Sequence, residues 1–376
     1  MGSSIYSFSL CTALPLMLFF GFYFLFAKTP EKKIYKNYLR SRQIMGIAML
    51  LLSANYSVHF FFGIRFKNAD SAILMNMSTY FLCYSLFSSA LIMLLDRFYI
   101  TKRRVWTHII LWIIFSTLSG VVLFLLPSGI MQKFSLFALA AWLVVFGVVL
   151  ARRVIIAYRR AIRIFNETQA DDIGAYIEWL SIFTYWALIF GVGCGLLTFL
   201  PDKYVFIWIL SSIPFYIYLF YSYQNYLLFY EQVENAFEQD IQSEEELLTN
   251  SGIEPEMVSE EVPGSYTEFI EKVENWIKTD GYVQQGLTIK ELSKILYTNR
   301  TYLSAYIKTT YKMTFREWIT SLRLEYAKNI LKEHPEINIQ KLAELSGFLS
   351  QSNFIKLFSE KEEGCTPAKW KKSNRE

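Results

Sequence analysis

Two short polar clusters near the end of the chain have the residue types and spacing to recognise nucleic acid. One is Ser350, Gln351, Ser352 and Asn353, with Lys356 one turn on; the other is Arg300, Thr301, Tyr302 and Ser304, followed by Lys308. Side-chain amides and guanidinium groups carry donors and acceptors at the separation of base edges in a major groove, whereas a lysine neutralises a phosphate. Arg300, Thr301, Ser304, Gln351, Ser352 and Asn353 are therefore the candidates for bases, and Lys308 and Lys356 for the backbone. Bond-making chemistry has no comparable signal. No P-loop, kinase motif set, zinc motif or nucleophile elbow occurs. The histidines (His59, His108, His334) and cysteines (Cys11, Cys83, Cys194, Cys365) are too scattered for a metal site or a disulfide framework. The expectation is no enzyme, no metal and no cofactor.

Each cluster needs a helix to present it and a second helix to brace it. In the stretch 337–359, Ile339, Leu342 and Leu345 share one face of a short helix, and Ala343 is small enough for a crossing helix to approach. Gly347 stands where the chain must turn, a position that favours positive φ. Ser350 is a suitable N-cap for the next helix, whose buried stripe is Phe354 and Phe358. The stretch 287–308 repeats the plan: Asn299 caps, Ser293 corresponds to Ala343, Leu303 to Phe354 and Ile307 to Phe358. Between them, over 315–332, Phe315, Ile319, Leu322, Tyr326 and Ile330 recur at helical spacing. A stiff connector would hold both reading helices at fixed separation. A preparatory helix from Thr267 to Lys278, with Phe269, Val273 and Trp276 inward, leads into the module.

This arrangement resembles the AraC/XylS family of transcription regulators over about the last 100 residues. The resemblance is carried by Arg323-Leu-Glu-Tyr-Ala327-Lys-Asn-Ile-Leu331, by Ala343-x-x-x-Gly347-Phe348 and by Gly364-Cys-Thr-Pro367-x-x-Trp370. It implies sequence-specific binding of double-stranded DNA near promoters, usually as a homodimer, with activation of transcription and RNA polymerase as a partner. Three places depart from the family pattern: Tyr297 and Lys312 stand where glycine is common, and Glu360 to Glu363 hold one residue more than usual before Gly364. A net charge of only +4 over residues 266–376 implies that affinity leans on dimerisation and groove contacts.

Residues 1–230 have a different character. Seven apolar stretches, about 5–27, 44–64, 72–95, 106–126, 134–155, 177–200 and 204–226, approach the roughly 20 residues that cross a bilayer. No Lys or Arg precedes the first, unlike a cleaved signal peptide, and Tyr6 breaks the myristoylation pattern after Gly2. The first, third and fifth loops hold fifteen Lys and Arg, against four in the intervening ones (Arg65, Lys67, Lys133, Lys203). That bias places the odd-numbered loops in the cytoplasm, the N-terminus outside and the C-terminus inside, beside the DNA. The expected fold class is all-α: a seven-helix bundle in the inner membrane, then a cytoplasmic helical domain with two helix-turn-helix units.

Polar residues inside the spans are the hints of a sensory site. Asn55 and His59 share a face of the second span, and Asn76 and Thr79 lie at similar depth in the third. They are compatible with a pocket for an unknown signal ligand or with plain interhelical hydrogen bonds. Gly191, Gly193 and Gly195 allow close helix packing or a hinge. After the seventh span, Tyr226, Tyr230, Val233, Phe237 and Ile241 fit either a short coiled coil with a second copy or an amphipathic helix lying on the domain. Residues 231–265 hold eleven acidic residues and no basic one, and the part from Glu244 to Ser265 reads as a flexible linker. Together these features predict a membrane-integral, one-component regulator. The rival expectations are a passive anchor that releases the regulator by proteolysis, and a transporter or enzyme with an appended regulator.

Overall fold

The computed structural model describes residues 2–127, 129–197, 202–250 and 266–373. The described residues are helical almost throughout. No strand forms among them, and one isolated antiparallel bridge joins Gln169 to Thr288. The chain divides into two compact units, one of Met1–Arg160 with Ile177–Glu231, the other of Ala161–Tyr176 with Gln232–Glu376.

The first unit contains α1 (Gly2–Phe26), α2 (Lys36–Phe62), the short α3 (Ile64–Lys67), α4 (Ala69–Met93), α5 (Lys102–Phe124), most of α6 (Ile130–Thr168), α7 (Glu178–Leu197) and the first part of α8 (Asp202–Asn250). Among the described residues, six segments are long and apolar enough to cross a membrane: Ile5–Phe26, Lys33–Phe62, Lys102–Phe124, Ile130–Thr168, Ile173–Gly191 and Val205–Glu238. The stretch expected as a third span, α4, is not among them. It is as long as its neighbours, but Asn76, Ser78, Thr79, Ser85 and Ser88 dilute its apolar character. Its packing explains why these are tolerated. The α4 helix lies against α2, α5 and α7, and Phe81, fully buried, stacks on Phe115 at 4.6 Å and on Phe146 at 4.1 Å. Ser78 shares a hydrogen bond of 2.7 Å with Ser116 and accepts one from the Trp112 indole at 3.0 Å. Inside a bundle, such polar groups find helix partners instead of lipid. Conversely, α5 and α6 expose Ile110, Ile113, Leu118, Phe134 and Phe137.

Three boundaries differ from the sequence expectation. The second helix starts at Lys36, and Arg42, expected in a loop, is buried and donates to the Ala27 carbonyl. The α6 helix continues through Arg152–Arg163, also expected as loop, to Thr168. The α8 helix continues to Asn250, into the stretch expected as linker; residues 251–265 lie outside the described residues. The stripe proposed for a coiled coil is covered within the chain. Tyr226 and Tyr230 pack with Tyr38 and are buried, and Phe237 lies 4.8 Å from Phe165. Those positions leave no free seam for a second copy, and the side chain of Ile241 lies outside the described residues.

In the second unit, α9 (Tyr266–Lys278), α10 (Ile289–Ile295) and α11 (Arg300–Thr310) pack around Phe269, Val273, Leu292, Leu303 and Ile307. The helices α13 (Ile339–Leu345), α14 (Gln351–Lys361) and α15 (Pro367–Ser373) pack around Leu342, Phe354 and Phe358, with Trp370 against them. The connector α12 (Phe315–Glu333) belongs to both cores. Phe315, Trp318 and Ile319 enter the first, and Leu324, Ala327 and Leu331 the second. The predicted connector stripe holds at Phe315 and Ile319; Leu322, Tyr326 and Ile330 are only half-buried, at the edges.

Candidate nucleic-acid interface

Both reading helices start on designed caps. The Asn299 side chain accepts from the Tyr302 amide at 2.8 Å, and Ser350 accepts from the Asn353 amide at 3.2 Å. The bracing helix α10 opens with a reciprocal capping box: Glu291 donates its amide to Thr288 Oγ1 at 3.1 Å, and Thr288 donates its own to Glu291 Oε2 at 2.9 Å. Thr314 and Glu317 repeat the device at the head of α12. Each cap satisfies amides that a helix start leaves without partners, and so fixes where the helix begins.

The corresponding positions of the two units share a burial pattern. Ser293 and Ala343 are buried at the crossing, Leu303 and Phe354 are fully buried, and so are Ile307 and Phe358. Leu345, expected on the inward face of α13, is instead 45% exposed; Leu342 and Ala343 carry the packing, with Phe348 from the turn. Gly347 has φ +83, and a Cβ there would strike the Val283 carbonyl and the Arg323 side chain. The two departures from glycine, Tyr297 and Lys312, both hold positive φ, at 55° and 58°. The local backbone is thus the one the family pattern anticipates, adopted here by residues for which it is strained.

The candidate contacts fall on the outer side. Thr301, Lys308, Ser350, Gln351, Ser352 and Lys356 are exposed; Arg300, Ser304 and Asn353 are half-buried. Thr301, Ser304 and Lys308 follow a 3, 4 spacing and so share one stripe of α11. Tyr302 departs from the group: its ring meets Phe269 edge-on at 5.0 Å and packs on the first core. Ser350 serves first as the cap. Lys308 ends 3.0 Å from Glu167.

Arg323, part of the quoted connector motif, is the feature sequence reasoning missed. It is 1% exposed, lies between the two cores and has a partner at each of its three side-chain nitrogens. Its Nε donates to the Tyr282 carbonyl at 2.8 Å and its Nη2 to the Gln284 carbonyl at 2.7 Å, while Nη1 meets Asp171 Oδ1 at 2.7 Å. Asp171 spends its other oxygen on the Gly286 amide, 2.7 Å away. Lys328, on α12, bridges Glu325 of the same helix at 2.8 Å and Glu362, at the end of α14, at 2.7 Å. Burial pulls its pKa down, but the hydrogen bonds to the two carboxylates more than offset this and leave it above the ordinary lysine value.

The four polar residues singled out in the first unit are brought together, and they pair with one another. His59 Nε2 is 2.9 Å from Asn76 Oδ1, and Asn55 donates to Thr79 Oγ1 at 3.2 Å. None of the four lines the cavity of about 100 Å3 in this unit, which is walled by Tyr56, Tyr80, Tyr84, Phe87, Thr184 and Tyr216. Gly191 sits at its wall, accepting from the Tyr84 hydroxyl, and a Cβ there would come 3.2 Å from the Tyr84 ring. Close packing is thus what Gly191 permits; the side-chain surroundings of residue 195 lie outside the described residues.

A family described as a helix-turn-helix domain matches residues 292–373. Over 92 residues the chain is 32% identical to the uncharacterized HTH-type transcriptional regulator YtdP of Bacillus subtilis (strain 168), a stretch that covers 24% of this chain and 12% of that protein. No solved structure matches the chain. With two capped units, a shared connector and polar outer faces, residues 292–373 form a helix-turn-helix domain of the AraC type, the kind found in DNA-binding transcription regulators.

Proposed function

We propose that the chain is a one-component transcription regulator held in the inner membrane, which binds promoter DNA sequence-specifically, as a dimer, through both reading helices. The observation that carries this reading is the union, in one chain, of two capped reading helices fixed on α12 with six segments of membrane-crossing length and apolarity. The exposed apolar side chains of α5 and α6 suit a lipid environment better than water. In this reading α4 is also a crossing, third in chain order, and brings the number to seven. Its polar residues face helices, and an odd number of crossings puts the C-terminus with the positive loops, in the cytoplasm. Arg300, Thr301, Ser304, Gln351, Ser352 and Asn353 meet bases, and Lys308 and Lys356 meet phosphates. RNA polymerase is the partner at the promoter.

The sensory site in this reading is the cavity lined by Tyr56 and Tyr80, which follow Asn55 and Thr79 in sequence. Its mostly apolar walls suit a small, mostly apolar ligand. Two experiments test the whole. A reporter fused after residue 376 is expected to be active in the cytoplasm, and activity outside it would exclude contact with DNA. Mapping chromosomal sites bound by tagged protein is expected to yield a shared sequence motif, and a random distribution would overturn specific recognition.

A further inference from the structure

The segment Asn166–Asp172, at the end of α6 and the turn that follows, is built into the first helix-turn-helix unit. The Ala170 amide donates to the Leu287 carbonyl at 3.0 Å beside the Gln169–Thr288 bridge, so the segment pairs with the chain that leads into the α10 cap. The Ala170 side chain joins the first hydrophobic core. Three carboxylates then meet three cations: Asp171 takes Arg323 at 2.7 Å, Asp172 takes Arg316 at 2.8 Å, and Glu167 takes Lys308 at 3.0 Å. Asn166 adds a hydrogen bond to Arg316 at 3.1 Å.

We propose that this segment is an inhibitory latch, an intramolecular partner that docks on the first reading unit and competes with DNA for it. The inference rests on the DNA-binding reading above. Lys308 shares its stripe of α11 with Thr301 and Ser304, so Glu167 holds a cation on the very face that would enter the groove. In a domain of net charge only +4, holding Lys308 and Arg316 on carboxylates weakens its attraction for a polyanion. Glu167 also stands within a Debye length of any phosphate that reaches Lys308. The buried Arg323–Asp171 pair fixes the register of docking while adding little net stability, because desolvation offsets most of its Coulomb attraction. The segment can therefore leave as a whole, Asp171 regaining water while Arg323 keeps the Tyr282 and Gln284 carbonyls. Since it is continuous with α6, a shift of that helix acts directly on the latch.

The test uses the full chain in lipid nanodiscs and a short duplex of mixed sequence at low salt, where binding depends on phosphate contacts. Glu167→Gln combined with Asp172→Asn alters side chains that are not deeply buried. The variant is expected to bind about two- to fivefold tighter, the scale of exposed ion pairs. Its salt dependence is expected to steepen by about one counterion as Lys308 is freed. Hydrogen exchange supplies the second readout: on adding DNA to the unaltered chain, the Ala170 and Gly286 amides are expected to lose protection. Equal or weaker binding by the variant, or undiminished protection with DNA bound, overturns the latch and leaves the regulator reading intact. If neither chain binds the duplex, both readings fail.

Discussion

Arg323 and Asp171 are 152 residues apart in sequence and meet at 2.7 Å, both almost fully buried, where the two helix-turn-helix units share their connector. The guanidinium is satisfied by this one carboxylate and by two backbone carbonyls. Removing the carboxylate leaves a buried charge with no counter-ion. Asp171→Ala is expected to destabilise the DNA-binding unit by about 3–5 kcal/mol. Chemical unfolding followed by tryptophan fluorescence would show it, since Trp276 and Trp318 lie in the adjoining core. A midpoint equal to that of the unaltered chain would mean that water replaces the aspartate.

Gly347 is the turn on which the second unit depends. Any side chain there must hold φ +83 and displace the Val283 carbonyl or Arg323. Gly347→Val is expected to unfold that unit and abolish DNA binding. Limited proteolysis should then cut in the region 337–373, and an intact, resistant domain would count against the turn geometry.

Lys312 presents the opposite case. It is exposed and has φ 58. Lys312→Gly removes a strain of about 1 kcal/mol and is expected to raise stability by up to that amount. An unfolding midpoint that falls would show that the lysine side chain contributes something its exposed position does not reveal.

Base and phosphate contacts separate by salt. Gln351→Ala is expected to cost about 1–3 kcal/mol on a specific site and little on mixed-sequence DNA. Lys356→Ala is expected to weaken both alike and to lower the salt slope by about one counterion. Binding titrations at several ionic strengths distinguish the two, and identical behaviour of the variants would remove the distinction drawn here.

Within the first unit, His59→Leu leaves Asn76 without its partner. The expected loss is small, about 0.6 kcal/mol, typical of hydrogen bonds between helices in a membrane. A far larger drop in thermal stability would point to a role beyond this one pair.

The helix-turn-helix part was legible because its signals are local. Asn299 and Ser350 cap where side-chain chemistry says they should, and Leu303, Ile307, Phe354 and Phe358 are buried at the spacing that announces them. Leu345 was misplaced because a helix of seven residues has too little periodicity to decide which apolar residues face inward. The length of α6 was missed for another reason. Its arginines end the apolar run, but they do not end a helix, since arginine is a good helix former. Arg323 was legible as a motif residue, but not its partner, because pairing across 152 residues leaves no mark in spacing. Nor could the sequence show that Tyr226, Tyr230, Val233 and Phe237 are buried within the chain; a stripe looks the same whether its partner is a second copy or a neighbouring helix.

The connector α12 gives its side chains to both cores, so it cannot lengthen without tearing one of them. One inserted residue would rotate everything downstream by about 100° and advance it by about 1.5 Å. The two reading helices are thus locked in phase with each other. In the proposed reading, a DNA site must keep its two contact points at a constant offset along the double helix, and a single inserted base pair between them should weaken binding as surely as losing either one.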